Sequence, residues 1–133
     1  MLFRSCEALG SNLVVITSQT ELQALTSKVS QTVWIGMHRD PKDKSRWLWV
    51  DGSRPTYTHW YKEEPNSLLE ECAEMYPRVY GWKWNDLSCS NARLYVCETR
   101  DMSECAIRAF TLVYIPIALS SYKSRVLFPL ASF

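Results

Sequence analysis

The chain carries no excess charge of either sign: 15 Lys and Arg stand against 14 Asp and Glu over 133 residues, a net +1. With no basic block or stripe, there is no electrostatic footprint for nucleic acid. There is also no uninterrupted apolar run of about 18 residues, the length a membrane-spanning helix requires. The nearest candidate, Phe110 to Leu119, is too short and contains Pro116. The start, Met1-Leu2-Phe3-Arg4-Ser5-Cys6, lacks the basic segment and long apolar core of a signal peptide. No Cys-x-x-Cys pair occurs, so a structural zinc site is a poor reading. Gly-x-Ser-x-Gly, the P-loop and His-Glu-x-x-His are all missing, and the expectation is a protein that is not an enzyme.

What is present suits one compact domain. The sequence is 47% hydrophobic, and 6 Trp, 7 Tyr and 4 Phe supply bulky rings for a core. Five cysteines stand at positions 6, 72, 89, 97 and 105. Two readings stay open on spacing: disulfides in an oxidising compartment, or reduced buried thiols in a cytosolic protein. The odd count leaves one cysteine over in the first case.

Along the chain, Leu13-Val14-Val15-Ile16 is β-branched and reads as extended. Ser18 followed by Glu21 has capping-box spacing, and Leu22, Leu25 and Val29 follow at helical intervals. The spacing predicts an amphipathic helix over 19–29. Val33 to Met37 and Trp47 to Val50 read as strands, separated by a charged loop from Arg39 to Arg46 and ended by an Asp51-Gly52 turn. Residues 51–71 read as one long irregular loop, a feature that in compact domains is usually functional. Ala73 to Tyr76 and Leu94 to Cys97 read as further strands. The fold class is α+β: one or two helices, short antiparallel strands and a long irregular loop. Residues 106–133 are mostly apolar, show no clean period and are broken by Pro116 and Pro129.

Oxygen-bearing side chains gather in two stretches, Glu64-Pro65-Asn66 with Glu70, and Trp84-Asn85-Asp86. Calcium takes six to eight oxygens from carboxylates, amides, backbone carbonyls and water. Glu64, Asn66, Glu70, Asn85 and Asp86 are therefore a candidate hard-oxygen set, better suited to Ca2+ than to zinc or copper. A cis Glu64–Pro65 bond would let both flanking side chains point at one ion. Singly, each of these residues reads as solvated surface. The adjacent acids Glu63 and Glu64 also raise a glycosidase, but their neighbours fit a cation cage better. His38 and His59 have no ligand spacing. Trp34, Trp47, Trp49, Trp60 and Trp84 are assigned to the core, and Tyr80 and Trp82 to packing or to the edge of the site.

Trp34-Ile35-Gly36-Met37, Trp49-Val50-Asp51-Gly52, Glu64-Pro65-Asn66, Trp84-Asn85-Asp86, Cys89 and Val96-Cys97-Glu98 occur in that order. This series, covering about residues 6–98, resembles the C-type lectin family. The resemblance implies a C-type lectin-like fold and one calcium ion held by Glu64, Asn66, Glu70, Asn85 and Asp86. It implies that the same five residues bind carbohydrate, with Glu-Pro-Asn favouring mannose, fucose, N-acetylglucosamine or glucose and Gln-Pro-Asp favouring galactose. It implies disulfides Cys72–Cys89 and Cys6–Cys97, the latter tying the first helix to the last strand, with Cys105 left over. It further implies an extracellular setting, glycan or glycoprotein partners, and oligomers for avidity. The alternatives are a protein-binding C-type-lectin-like domain without sugar binding, or a non-functional truncated product.

The departures from the family are specific. The loop between Asn66 and Cys72 is short and holds Leu68 and Leu69. His38-Arg39 stands where the family usually places the acids of a second calcium site, with Asp40 and Asp43 displaced, so a second site is not predicted from the sequence. Only five residues precede Cys6, where the family has a strand hairpin and a full helix. The expected division is a lectin domain over 1–98 lacking that hairpin, and an atypical apolar tail over 99–133. The strand around Tyr95 and Val96 would then have an open edge, and the tail, about Thr111 to Ile117, is expected to cover that edge or the core.

Overall fold

A computed structural model describes residues 2–8, 10–101, 107–114 and 125–130 of the chain. Two helices, α1 (Leu2–Glu7) and α2 (Gln19–Thr26), flank the short strand β1 (Asn12–Leu13). A hairpin follows, β2 (Val33–Asp40) and β3 (Asp43–Trp49). After the long loop come β4 (Cys72–Met75), a short 3-10 turn at Arg78–Tyr80, β5 (Trp84–Leu87) and β6 (Leu94–Asp101). Two further strands are β7 (Ile107–Tyr114) and β8 (Arg125–Leu130). The sheet runs β5-β4-β2-β6-β7-β8, with β3 beside β2 and β1 beside β6. Its pairs are antiparallel except β2 with β6, which is parallel. The α+β class expected from the sequence is what the chain adopts.

The N-terminus of α2 is built as its residues dictate. Ser18 is the N-cap, its hydroxyl accepting the Glu21 N–H at 3.1 Å. The Glu21 carboxylate reaches back one residue beyond the cap, taking the Thr17 N–H at 2.6 Å and the Thr17 hydroxyl at 2.8 Å. Leu22 and Leu25 are buried, as is Val29, which lies past the end of the helix. The helix thus stops at Thr26, three residues short of the expected end.

Two expectations need correction. The segment Arg39 to Arg46 is not a loop: β2 continues through Asp40 and β3 starts at Asp43. Charge there marks the turn of a hairpin, because Asp40 Oδ1 accepts the Lys42 N–H at 2.9 Å and Asp43 Oδ1 accepts the Ser45 N–H at 3.1 Å. The Leu13 to Ile16 strand is shorter than expected, pairing with β6 only at Asn12 and Leu13. Val14 N–H still donates to Val96 O at 2.9 Å.

The core is built around Trp34, Trp49 and Trp84, all fully buried, with Leu22, Leu25, Val33, Ile35, Met37 and Met75. Gly36 lies where chains meet: an added Cβ would sit 2.8 Å from Val14 O and 2.9 Å from Leu13 O. Disulfides Cys6–Cys97 and Cys72–Cys89 form as the resemblance implied. The first joins α1 to β6, which is followed by β7 and β8 and so is not the last strand. The outer edge of β6 is covered by β7, which pairs with it from Tyr95↔Val113 to Asp101↔Ile107. Thr111 to Tyr114 therefore lie on the edge expected to be open. Residues 115–117, and Cys105, fall outside the described residues.

Candidate functional site

Two pieces of chain build the site. β5 supplies Asn85 and Asp86, and its register against β4 sets Glu74 opposite Asn85 and Ala73 opposite Asp86. The long loop supplies Glu64, Asn66 and Glu70. It is anchored to β5 by Tyr61 N–H to Trp84 O at 2.7 Å and Trp84 N–H to His59 O at 2.8 Å. The Trp60 ring packs edge-on to Trp84, with centroids 6.0 Å apart, and against Trp47 at 5.0 Å. These contacts tie an irregular segment to the aromatic core.

Past that anchor the backbone turns sharply. Glu63 has a φ of 67°, a left-handed conformation uncommon outside glycine, and the Glu64–Pro65 peptide is cis. Asn66 Nδ2 donates to Glu64 Oε1 at 3.1 Å. The Asn66 N–H donates to Asp86 Oδ1 at 3.1 Å and the Ser67 N–H to Asp86 Oδ2 at 3.0 Å. Asp86 is fully buried and so holds the loop to β5. Asn85 Nδ2 donates to Glu74 Oε1 at 2.9 Å, and Arg93 Nε donates to Glu74 Oε2 at 2.7 Å. Glu74 thereby fixes which way the Asn85 amide faces and leaves its carbonyl oxygen for other duty.

The electrostatics are those of crowded acids. The Glu64 carboxyl is pushed up to about 7 by burial, then by the neighbouring Asp86 carboxylate and by the charges of Glu70 and Glu63. Glu64 Oε2 is buried without a hydrogen-bond partner. Burial also raises the Glu70 carboxyl, with further upward contributions from Asp86 and Glu74. All five residues singled out in the sequence thus lie in one neighbourhood, Glu70 by its electrostatic reach to Asp86. Among the described residues, no trio of His, Cys, Asp and Glu forms a metal site on its own. The donors here are mixed carboxylates and carboxamides.

Sequence reasoning missed two residues. Arg39, only 6% exposed, pairs with Asp86 at 3.1 Å. Glu74 is 2% exposed and is the acid behind Asn85. Each had a weak signal: Glu74 is the lone charge in Cys72-Ala73-Glu74-Met75, and Arg39 closely follows the apolar run Trp34-Ile35-Gly36-Met37. His38 and His59 are engaged with backbone carbonyls, Arg39 O at 2.9 Å and Gly81 O at 3.0 Å.

Residues 3–99 match the family model of the lectin C-type domain. The chain is 36% identical over 110 residues to CD209 antigen-like protein D of Mus musculus, covering 78% of this chain and 44% of that protein. It is 42% identical over 100 residues to CD209 antigen-like protein A of the same species, covering 71% of this chain and 40% of that protein. The chain therefore spans less than half the length of these curated relatives. Among solved structures it is similar to the C-type lectin domain of murine dendritic cell inhibitory receptor 2 in complex with N-glycan. The TM-score is 0.60 at 32% identity, covering 67% of this chain and 71% of that one. A calcium-independent type II antifreeze protein is similar at TM-score 0.66 and 30% identity, covering 72% and 73%. With residues 3–99, most of its length, matched to the family model, the chain belongs to the C-type lectin domain family.

Proposed function

We propose that this chain is a calcium-dependent carbohydrate-recognition domain for mannose-type sugars, with Glu64, Asn66, Glu70, Asn85 and Asp86 as cation ligands. The observation that carries the reading is the gathering of hard oxygens around Glu64, whose Oε2 is buried and unpartnered and whose carboxyl is raised by burial and then by its acidic neighbours. A divalent cation relieves both conditions, and an all-oxygen set suits Ca2+. The fold alone does not require calcium, since the similar antifreeze protein is described as calcium-independent. The donors carry the argument.

A calcium ion held by these five residues would supply coordination for two adjacent sugar hydroxyls. The protein does the rest. Glu64 presents acceptors only, whereas Asn66 presents an acceptor and an NH2 donor. The order of Glu64 and Asn66 beside such an ion would select the geometry of the hydroxyl pair, here the equatorial pair of mannose, fucose, N-acetylglucosamine or glucose. Glu74 and Arg93 keep the Asn85 amide oriented. Such a site is shallow, so avidity from several copies or several glycans would raise affinity. The N-glycan in the similar murine receptor domain supports a glycan partner. The two disulfides support an oxidising, extracellular setting.

The test is to exchange the two selecting residues. Glu64→Gln with Asn66→Asp should shift preference from mannose toward galactose on paired affinity columns with calcium. Unchanged selectivity in a folded double variant would contradict the hydroxyl-geometry account.

A further inference from the structure

The Arg39 side chain is 5% exposed, and its guanidinium is surrounded by oxygens from three parts of the chain. Nε donates to Glu70 O at 3.2 Å, and Nη2 donates to Ser67 O at 2.9 Å. Nη1 donates to Lys44 O at 3.1 Å across the β2–β3 hairpin. Nη2 also donates to Asp86 Oδ2 at 3.1 Å. The guanidinium carbon lies 4.4 Å from the centroid of the Trp47 ring, a cation–π contact that closes one face. One planar cation thus satisfies four oxygens, a task a flexible ammonium cannot match. Backbone reinforces it, with the Arg39 N–H donating to Glu71 O at 2.9 Å.

We propose that Arg39 is a tethered cation that holds the loop from Ser67 to Glu71 in its ligand-ready shape, so that the order of this loop does not depend on a bound metal ion. Three acceptors on that loop and on β5 converge on one buried positive charge. Without it, Ser67 O, Glu70 O and the buried Asp86 Oδ2 would share no counter-charge. The acids nearest in sequence are committed to the hairpin turn, Asp40 to the Lys42 N–H and Asp43 to the Ser45 N–H. Arg39 is a positioning residue: it aims Asp86 and the Glu70 segment. That these are cation ligands rests on the function proposed above; the ordering of the loop does not.

Hydrogen exchange in EDTA reads this directly. In the wild-type chain the amides of Asn66, Ser67 and Glu70 should be protected without calcium. In Arg39→Met their protection should fall at least about tenfold, while amides in β2 and β4 stay slow and report an intact fold. Arg39→Lys should fall between the two, which keeps the test informative if the Met variant does not fold. Wild-type amides that exchange freely in EDTA and slow only when calcium is added would overturn the proposal, as would full protection in either variant. If calcium never binds but the wild-type loop is protected in EDTA, Arg39 keeps this role and the calcium reading fails.

Discussion

At the residue scale, Glu64 has the most to say. Its carboxyl, ordinarily near 4.5, is raised to about 7 by burial and then by Asp86, Glu70 and Glu63. The folded, metal-free chain therefore holds a proton that the unfolded chain releases at lower pH. This contribution to stability is fully present below the unfolded value of 4.5 and is lost as pH rises through about 7. If Glu64 is a calcium ligand, it binds as the carboxylate, and binding below pH 7 would expel the proton. Calcium affinity should weaken by up to about tenfold per pH unit below 7. Calorimetry in two buffers of different ionisation enthalpy should detect the released proton. Affinity that is constant from about pH 5.5 to 7.5, the window set by that shift, would contradict the assignment of Glu64 as a ligand. Glu64, Asn66, Asn85 and Asp86 were legible because they sit in short runs whose chemistry is local. Arg39 and Glu74 were not, because their partners lie 47 and 11 residues away.

At the element scale, what was legible followed from local rules. Ser18 with Glu21 marked the start of α2, and the buried strands around Trp34 and Trp49 followed from apolar runs. The β2–β3 hairpin was hidden because its turn is polar and half of β3 faces solvent. The strand character of residues 107–114 was hidden for the opposite reason. Its residues are apolar without alternation, and only the unpaired edge of β6 gives them a place. That pairing is measurable in the intact chain. Backbone amides of residues 107–114 that face β6 should exchange about a hundredfold slower than free peptide. Free exchange throughout that segment would remove β7 from the sheet.

At the scale of the molecule, a short polypeptide with a modest core is stapled twice. The bond Cys6–Cys97 closes a separation of 91 residues and Cys72–Cys89 one of 17. In the chain-entropy view these contribute about 4–5 and about 3 kcal/mol. The second also fixes the far end of the ligand loop to the turn after β5, so stability and site geometry share one crosslink. No helix among the described residues is long and apolar enough to cross a membrane. The scaffold delivers two loop-borne acceptors, Glu64 and Asn66, to a strand-borne pair, Asn85 and Asp86, and the central claim is that a calcium ion joins them to sugar. Retention on immobilised mannose with calcium present tests this most directly. The chain should be held on mannose, pass through galactose, and elute when EDTA is added. Failure to bind either sugar at saturating calcium, by a chain with its loop and core intact, would contradict it.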